Sequence, residues 1–241
     1  MQTLPFRPWS SIGKKLLNGL TGLLLMLFIA AHLAGNLTLL VGTDAFNAYA
    51  EGLHRLGVIV PLAEIGLTAL VAAHVLSAVA VYNDRRAARN VRYTMVASKG
   101  GSSKQSVFSR SMIVTGGVLL VFLVLHVWQF RFGPSIAEGY VTLLHGEPVR
   151  DLYRLVVETF QNPLWVVFYL GVMVLLGFHL RHGFWSAFQS LGLLAPHTRA
   201  LAFSAGGVVA LVIAAGFLLL PIWLFLSADP RTAAGVVMVV P

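Results

Sequence analysis

The sequence predicts an all-α integral membrane protein, a single domain over residues 1–241 with five transmembrane helices. Hydrophobic residues make up 57% of the chain and charged residues only 11%, whereas soluble domains usually carry about 25% charged residues. Five apolar stretches are also long enough to cross a bilayer, since about 20 helical residues span its roughly 30 Å of hydrocarbon. So apolar a chain cannot bury its hydrophobic side chains within one water-facing globule, and the lipid bilayer is the solvent expected for it.

The five predicted spans are each bounded by charged residues, proline or glycine. They cover approximately residues 15–41, 60–82, 111–130, 163–189 and 200–226. The first span is far longer than the apolar core of a signal peptide, about 7–15 residues, and no small-residue cleavage site follows it, so we interpret it as a retained helix. Pro61 and Pro163 stand in the first turn of their spans, where proline is tolerated, whereas Pro221 stands late in the fifth, where a kink is expected.

Basic residues are concentrated in alternate connecting segments of the chain. The N-terminal segment and the fourth loop contain Lys and Arg without acids, and the second loop has seven basic residues against Asp84 alone. Loops one and three mix acidic with basic residues. Because Lys and Arg collect on the cytoplasmic side, we predict a cytoplasmic N-terminus and an outside C-terminus. The net charge of +8 is explained by this orientation and gives no reason to invoke nucleic acid.

Four of the eight histidines lie deep within the first four spans, one per span: His32, His74, His126 and His179. Ionisable groups inside a membrane are costly and need partners. At about 1.5 Å per residue from the outer end of each span, His32 and His126 lie about 13 and 6 Å deep, and His74 and His179 about 21 and 24 Å deep. Two bis-histidine haems stacked across a bilayer need two pairs at two depths, because each iron takes one imidazole from either side.

The first four helices are therefore predicted to form a haem-binding bundle. We name His32 and His126 the outer pair, expected to hold an outer haem b, and His74 and His179 the inner pair, expected to hold an inner haem b. The chain has no cysteine, which excludes thiolate haem ligation and iron–sulfur ligation within it.

Intramembrane histidines have other uses, which the residues leave open. A proton pathway would combine them with carboxylates, and Glu64 is the acid that lies clearly within a span. A metal transporter would gather its ligands at one depth, often with carboxylates. Structural hydrogen bonding within the bundle is a third alternative. His54, His145 and His197 lie in loops or at a span edge, and we interpret them as solvated.

The residues around the four intramembrane histidines resemble the large cytochrome b subunit of succinate:quinone oxidoreductases and quinol:fumarate reductases, of the single-subunit, five-helix, dihaem type. The resemblance covers nearly the whole chain, and its most specific motif is in span four. The matching segments are Ser11–Lys15, Ala31–Asn36, Asp44–Asn47, His126–Trp128 and Phe178–Gln189.

This resemblance implies a membrane anchor of succinate dehydrogenase or fumarate reductase that does not itself carry the catalytic head. A flavoprotein subunit would oxidise succinate, as in the tricarboxylic acid cycle, and an iron–sulfur subunit would pass electrons to the anchor. The anchor would hold two haems b on the same four histidines and react with quinone, menaquinone or ubiquinone. The resemblance also implies a bacterial cytoplasmic membrane. His182, one turn nearer the cytoplasm than His179, is a candidate contact of a haem propionate or of the iron–sulfur subunit. Arg110 and Arg181 lie at the inner boundary of their spans, where they are candidate partners of inner-haem propionates or of anionic lipid.

Three further residues have two candidate roles each, and the chain has two alternative functions. Glu64 is a candidate proton carrier for quinone chemistry, or an acid favoured near a helix N-terminus by the helix dipole. Trp128 and Trp185 are candidates for a quinone pocket or for the aromatic belt of the membrane interface. The alternative functions are the cytochrome b subunit of another membrane dehydrogenase, of the hydrogenase or formate dehydrogenase type, and a non-redox transporter. The direction of catalysis and a higher oligomer of the complex are left open.

Overall fold

The structure, a computed structural model, describes residues 10–87 and 112–227, and this part of the chain is almost entirely helical. In chain order its elements are α1 (Ser11–Asn36, continued by a 3-10 turn over Leu37–Leu40), α2 (Thr43–His54), α3 (Ile59–Ala87), α4 (Met112–Phe130), β1 (Val141–Leu144), β2 (Glu147–Arg150), α5 (Leu152–Gln161), α6 (Pro163–Ser190) and α7 (Arg199–Ser227). Within these residues, five helices are long and apolar enough to cross a membrane: α1, α3, α4, α6 and α7. The helical class and the five predicted spans are confirmed, and they indicate a multi-pass membrane protein.

Long apolar segments become helices in lipid because a helix satisfies its own backbone hydrogen bonds where no water is present. The bounds of the long helices differ from the predicted spans by a few residues, apart from α3, which runs on to Ala87 at its basic end. The helix α7 continues through Pro221. A proline within a helix removes one backbone donor, and this is tolerated in membranes when neighbouring groups satisfy the freed carbonyl.

The described residues fall into two compact units. The first contains residues 10–28, 64–87, 112–118 and 178–211, and the second contains residues 29–63, 119–177 and 212–227. Every long helix contributes residues to both units, so the division does not follow a boundary in the sequence. The inner pair belongs to the first unit, and the outer pair belongs to the second.

Close helix approach characterises the first unit. A Cβ atom added at Gly19 would lie 3.3 Å from the backbone oxygen of Ala187, so α1 and α6 meet closely here. Small residues permit such an approach between membrane helices. Near the basic end of α3, the Lys14 ammonium forms an ion pair with Asp84 at 2.8 Å, which ties the start of α1 to α3.

The second unit contains structure that the sequence analysis treated as loops. The antiparallel hairpin of β1 and β2 is followed by α5, whose first turn is capped by the Asp151 carboxylate through a hydrogen bond of 3.0 Å from the Arg154 amide. The side-chain amide of Asn47, in α2, donates through Nδ2 to the same carboxylate at 2.9 Å. Asn47 is 1% exposed, and because a buried amide is costly to leave unpaired, this bond fixes α2 against α5.

Arg150 closes the end of α4. Its guanidinium donates to the backbone oxygens of Phe130, Gly133 and Pro134 at 3.0, 3.1 and 2.9 Å. A cation is favourable at a helix C-terminus, where carbonyl groups lack helical partners. Burial and the neighbouring Arg131 charge lower the pKa of Arg150, yet an arginine remains protonated at any physiological pH.

Candidate cofactor sites formed by the intramembrane histidines

The outer pair is brought together in the second unit. The imidazole centroids of His32 and His126 lie 5.8 Å apart, and their planes are 89° from parallel. Two imidazoles on one metal ion, with metal–nitrogen bonds of about 2.0–2.1 Å each, place their ring centres roughly 6 Å apart. The distance between His32 and His126 therefore fits two imidazoles that would bind one metal ion.

Aromatic rings surround the outer pair. The centroids of Phe122, Phe130 and Tyr169 lie 5.4, 5.2 and 6.2 Å from that of His126, and the ring of Phe217 lies 6.0 Å from His32. Binding sites for flat organic cofactors are predominantly apolar and aromatic, with few polar groups. The surroundings of the outer pair are thus apolar and aromatic, which is compatible with a largely apolar ligand.

Hydrogen bonds attach the outer pair to its neighbours. The Nδ1 atom of His126 lies 3.4 Å from the Tyr169 hydroxyl, which itself donates to the Gln129 side-chain oxygen at 2.8 Å. His32 is engaged by Asn36, whose amide nitrogen lies 3.3 Å from Nε2 and donates to the His32 carbonyl at 2.8 Å. A metal ion on Nε2 of His32 would replace the first of these two Asn36 contacts and leave the second.

The inner pair lies in the first unit, where each imidazole meets a threonine. The Nδ1 atom of His74 lies 3.2 Å from the Thr21 hydroxyl, and the Nδ1 atom of His179 lies 3.3 Å from the Thr115 hydroxyl. The two imidazoles are near enough to interact electrostatically. Nδ1 is the contact atom toward threonine in both rings, and His74 also hydrogen-bonds to the Asn18 backbone.

Glycines make room for the inner pair. A Cβ atom added at Gly22 would come within 3.1 Å of Cε1 of His74, and one added at Gly116 would lie 3.5 Å from Cε1 of His179. Each imidazole therefore packs against a bare helix backbone. This is a local reason for two of the small residues in the spans, besides close approach of helices.

The other candidate residues lie around these histidines or outside the described residues. Arg110 is not among the residues that the structure describes. Arg181 is exposed, with its guanidinium 5.3 Å from the Phe203 ring. His182 is half-buried and interacts electrostatically with His179 and Arg85, so it lies near the inner pair.

Glu64 and the two tryptophans have different surroundings. Glu64 is half-buried and is the sixth residue of α3, past its first turn, where its carbonyl accepts a hydrogen bond of 2.8 Å from the Thr68 hydroxyl. Trp128 is 73% exposed, as expected for an interface residue. Trp185 is half-buried and packs edge-to-face on Phe203 at 5.7 Å. The three remaining histidines, His54, His145 and His197, are exposed.

Sequence reasoning missed the hydroxyl and amide groups behind the histidines. Thr21, Thr115, Tyr169 and Gln129 all lie within predicted spans, where a polar side chain needs a partner. The presence of these polar side chains in apolar segments was therefore the sequence signal that they have hydrogen-bond partners within the bundle. Which histidine each one contacts depends on helix rotation, which the sequence pattern does not define in so uniformly apolar a helix.

Comparison with known protein families, with curated proteins and with solved structures found no match to this sequence. Among residues 10–87 and 112–227, no three or more His, Asp or Glu side chains gather where they would hold a metal ion. The four intramembrane histidines are instead grouped as the outer pair and the inner pair, and the two histidines of each pair come from different helices.

Proposed function

We propose that this chain is the dihaem cytochrome b membrane anchor of a succinate:quinone oxidoreductase in a bacterial cytoplasmic membrane. The observation that carries the proposal is the pairing of the intramembrane histidines, one pair in each compact unit. The 5.8 Å between the imidazole centroids of the outer pair supports a shared iron. The engagement of Nδ1 in His74, His126 and His179 supports iron ligation through Nε2.

The residues present fit haem b as the bound group. His32 and His126 would hold one haem iron, and His74 and His179 would hold the other. When bound between two histidines, haem supplies a reversible one-electron carrier. The chain's own contribution is to fix the imidazoles, to keep water from the outer pair with aromatic rings, and to leave space beside the inner pair at Gly22 and Gly116.

The proposed partners follow from the resemblance and from the predicted orientation. An iron–sulfur subunit, itself bound to a flavoprotein subunit, would dock on the basic cytoplasmic face and deliver electrons to the inner haem. Arg181 and His182 are candidate contacts of the inner haem propionates or of that subunit, and Arg110 is assigned to the propionates by sequence alone. Membrane quinone would be the electron acceptor, with Glu64 the candidate group for its protons.

The first prediction is that the purified native complex contains two low-spin haems b per chain, because the two imidazole pairs each complete one iron. Pyridine haemochrome analysis against protein concentration measures this ratio, and reduction by succinate tests the electron donor. The absence of haem would refute the redox function. Haem that is reduced by hydrogen or formate, but not by succinate, would instead favour the anchor of another membrane dehydrogenase.

A second prediction concerns orientation, and the lack of cysteine in the chain makes it direct to test. Ala137→Cys and His197→Cys each place one thiol at an exposed position, in loop three and loop four respectively. A membrane-impermeant maleimide added to intact cells should label Ala137→Cys alone, because Lys and Arg mark the cytoplasmic loops. Labelling of His197→Cys alone would reverse the topology, and permeabilised cells should label both variants.

A further inference from the structure

A chain of hydrogen bonds runs from His126 through Tyr169 and Gln129 to Thr159. The position of each proton in this chain follows from the direction of the bonds. The Thr159 hydroxyl donates to the Leu155 carbonyl at 2.8 Å. Its oxygen therefore accepts from the Gln129 side-chain nitrogen, which lies 3.5 Å away. The Gln129 amide must then turn its NH₂ group to Thr159 and its oxygen to Tyr169, which donates to it at 2.8 Å. The one hydroxyl proton of Tyr169 is used in this bond, so the Tyr169 oxygen accepts at its contact with His126.

The tautomer of His126 follows from this assignment. Because the Tyr169 oxygen can only accept at the 3.4 Å contact, the proton of the neutral imidazole must be on Nδ1 of His126. A neutral imidazole carries one proton, so Nε2 holds a lone pair. The lone pair on Nε2 is the donor that a haem iron requires, and a hydrogen bond on the opposite nitrogen fixes both tautomer and ring orientation.

The inner pair repeats the arrangement with threonine. The Thr21 hydroxyl donates to the Leu17 carbonyl at 2.7 Å, a distance between two oxygens that requires the proton to lie between them. The Thr115 hydroxyl donates to the Met112 carbonyl at 3.2 Å. The Thr21 oxygen is therefore left to accept from Nδ1 of His74, which also hydrogen-bonds to the Asn18 backbone. When Thr115 donates to Met112, its oxygen accepts from Nδ1 of His179 at 3.3 Å, and in both histidines Nε2 then carries the lone pair.

We propose that Tyr169, Thr21 and Thr115 are positioning residues, which hold His126, His74 and His179 in the Nδ1-protonated tautomer and so present Nε2 to iron. The inference rests on the proposed function for the identity of the metal group. It also assigns Gln129 and Thr159 to the outer pair, since they commit the Tyr169 proton. The outer haem would thus be tuned by a phenol within a side-chain network, and the inner haem by hydroxyls anchored to helix carbonyls.

The expected consequence is a specific shift in haem potential. An acceptor on Nδ1–H increases the basicity of the metal-bound nitrogen, and loss of such a partner typically costs about 10–100-fold in metal affinity. A more basic imidazole favours ferric over ferrous iron, so removal of the acceptor raises the midpoint potential. A tenfold loss of the ferric preference corresponds to a rise of about 59 mV for a one-electron couple.

The experiment is redox titration of the purified native complex with Tyr169→Phe, which removes the acceptor and keeps the ring. The midpoint potential of the outer haem should rise by about 59 mV, which corresponds to a tenfold change in the ratio of ferric to ferrous affinity. The midpoint potential of the inner haem should stay unchanged. Tyr153→Phe is the matched control, because Tyr153 also lies in the second unit and packs on Phe46 at 6.5 Å. Two haems with an unchanged outer potential in Tyr169→Phe, or an equal shift in Tyr153→Phe, would overturn the proposal.

Thr21 offers an independent pair of variants should Tyr169→Phe fail to assemble. Thr21→Val keeps the shape but removes the acceptor, whereas Thr21→Ser keeps the hydroxyl, so only the valine variant should raise the inner potential. Equal behaviour of the two variants would contradict the role of Thr21.

Nitrogen-15 NMR of the histidine-labelled full chain without haem separates this inference from the proposed function. Protonation on Nδ1 of His74, His126 and His179 supports the tautomer assignment even if the chain proves to bind no haem. Protonation on Nε2 refutes it.

Discussion

His126→Ala is expected to halve the haem content of the purified complex, with loss of the outer haem and retention of the inner one. The imidazole centroids of the outer pair lie 5.8 Å apart, so removal of one imidazole would leave a single ligand for the proposed outer haem iron. The inner pair lies in a different compact unit and keeps both ligands. The measurement is haem per chain by pyridine haemochrome, combined with a redox titration that should show one remaining component.

The reciprocal variant tests the assignment of pairs. His74→Ala should remove the inner haem and leave the component that His126→Ala had lost, because a different pair of histidines would hold each haem. His145→Ala is the matched control, since His145 is exposed in the turn of the hairpin and should keep both haems. If His32→Ala and His74→Ala lost the same potentiometric component, the pairing would be wrong.

The long helices were predictable from sequence, because an apolar run of sufficient length has few alternatives in a bilayer. The elements of the second unit outside the spans were not. Asn47 and Asp151 are 104 positions apart in the chain, yet their hydrogen bond joins α2 to α5. The hairpin turns at His145 and Gly146 with positive φ angles of 53° and 85°, and a histidine in this conformation is uncommon, so the turn has a weak sequence signature.

For the candidate sites, residue depth along the spans selected the four histidines and the grouping into an outer and an inner pair. The positions of Tyr169, Thr21 and Thr115 could not be derived in the same way. Depth depends on helix rise, which is constant, whereas contact between a histidine and a hydroxyl depends on the rotation of two helices about their axes. Uniformly apolar helices have no polar face from which that rotation can be read.

Gly22→Leu is expected to abolish the inner haem while the outer haem remains. Even a Cβ atom at this position would lie 3.1 Å from Cε1 of His74, which is tighter than ordinary van der Waals contact, and the rest of a leucine side chain has to displace the imidazole. Displacement of a metal ligand by about 1 Å removes it from the narrow range of productive geometry, roughly 0.5 Å. Haem per chain should fall by half, and the inner potentiometric component should disappear.

Glycines with more space around them serve as controls for Gly22→Leu. Gly66→Leu, also in a membrane-spanning helix, should keep both haems, because a Cβ atom added at Gly66 meets nothing within 4 Å. Gly116→Ala adds a Cβ at 3.5 Å from Cε1 of His179, an ordinary contact, and should also be tolerated. Retention of the outer haem in Gly22→Leu shows that the variant is folded, so that loss of the inner haem reflects the position of His74. An unchanged inner haem in Gly22→Leu would mean that His74 binds its iron from a position that this glycine does not limit.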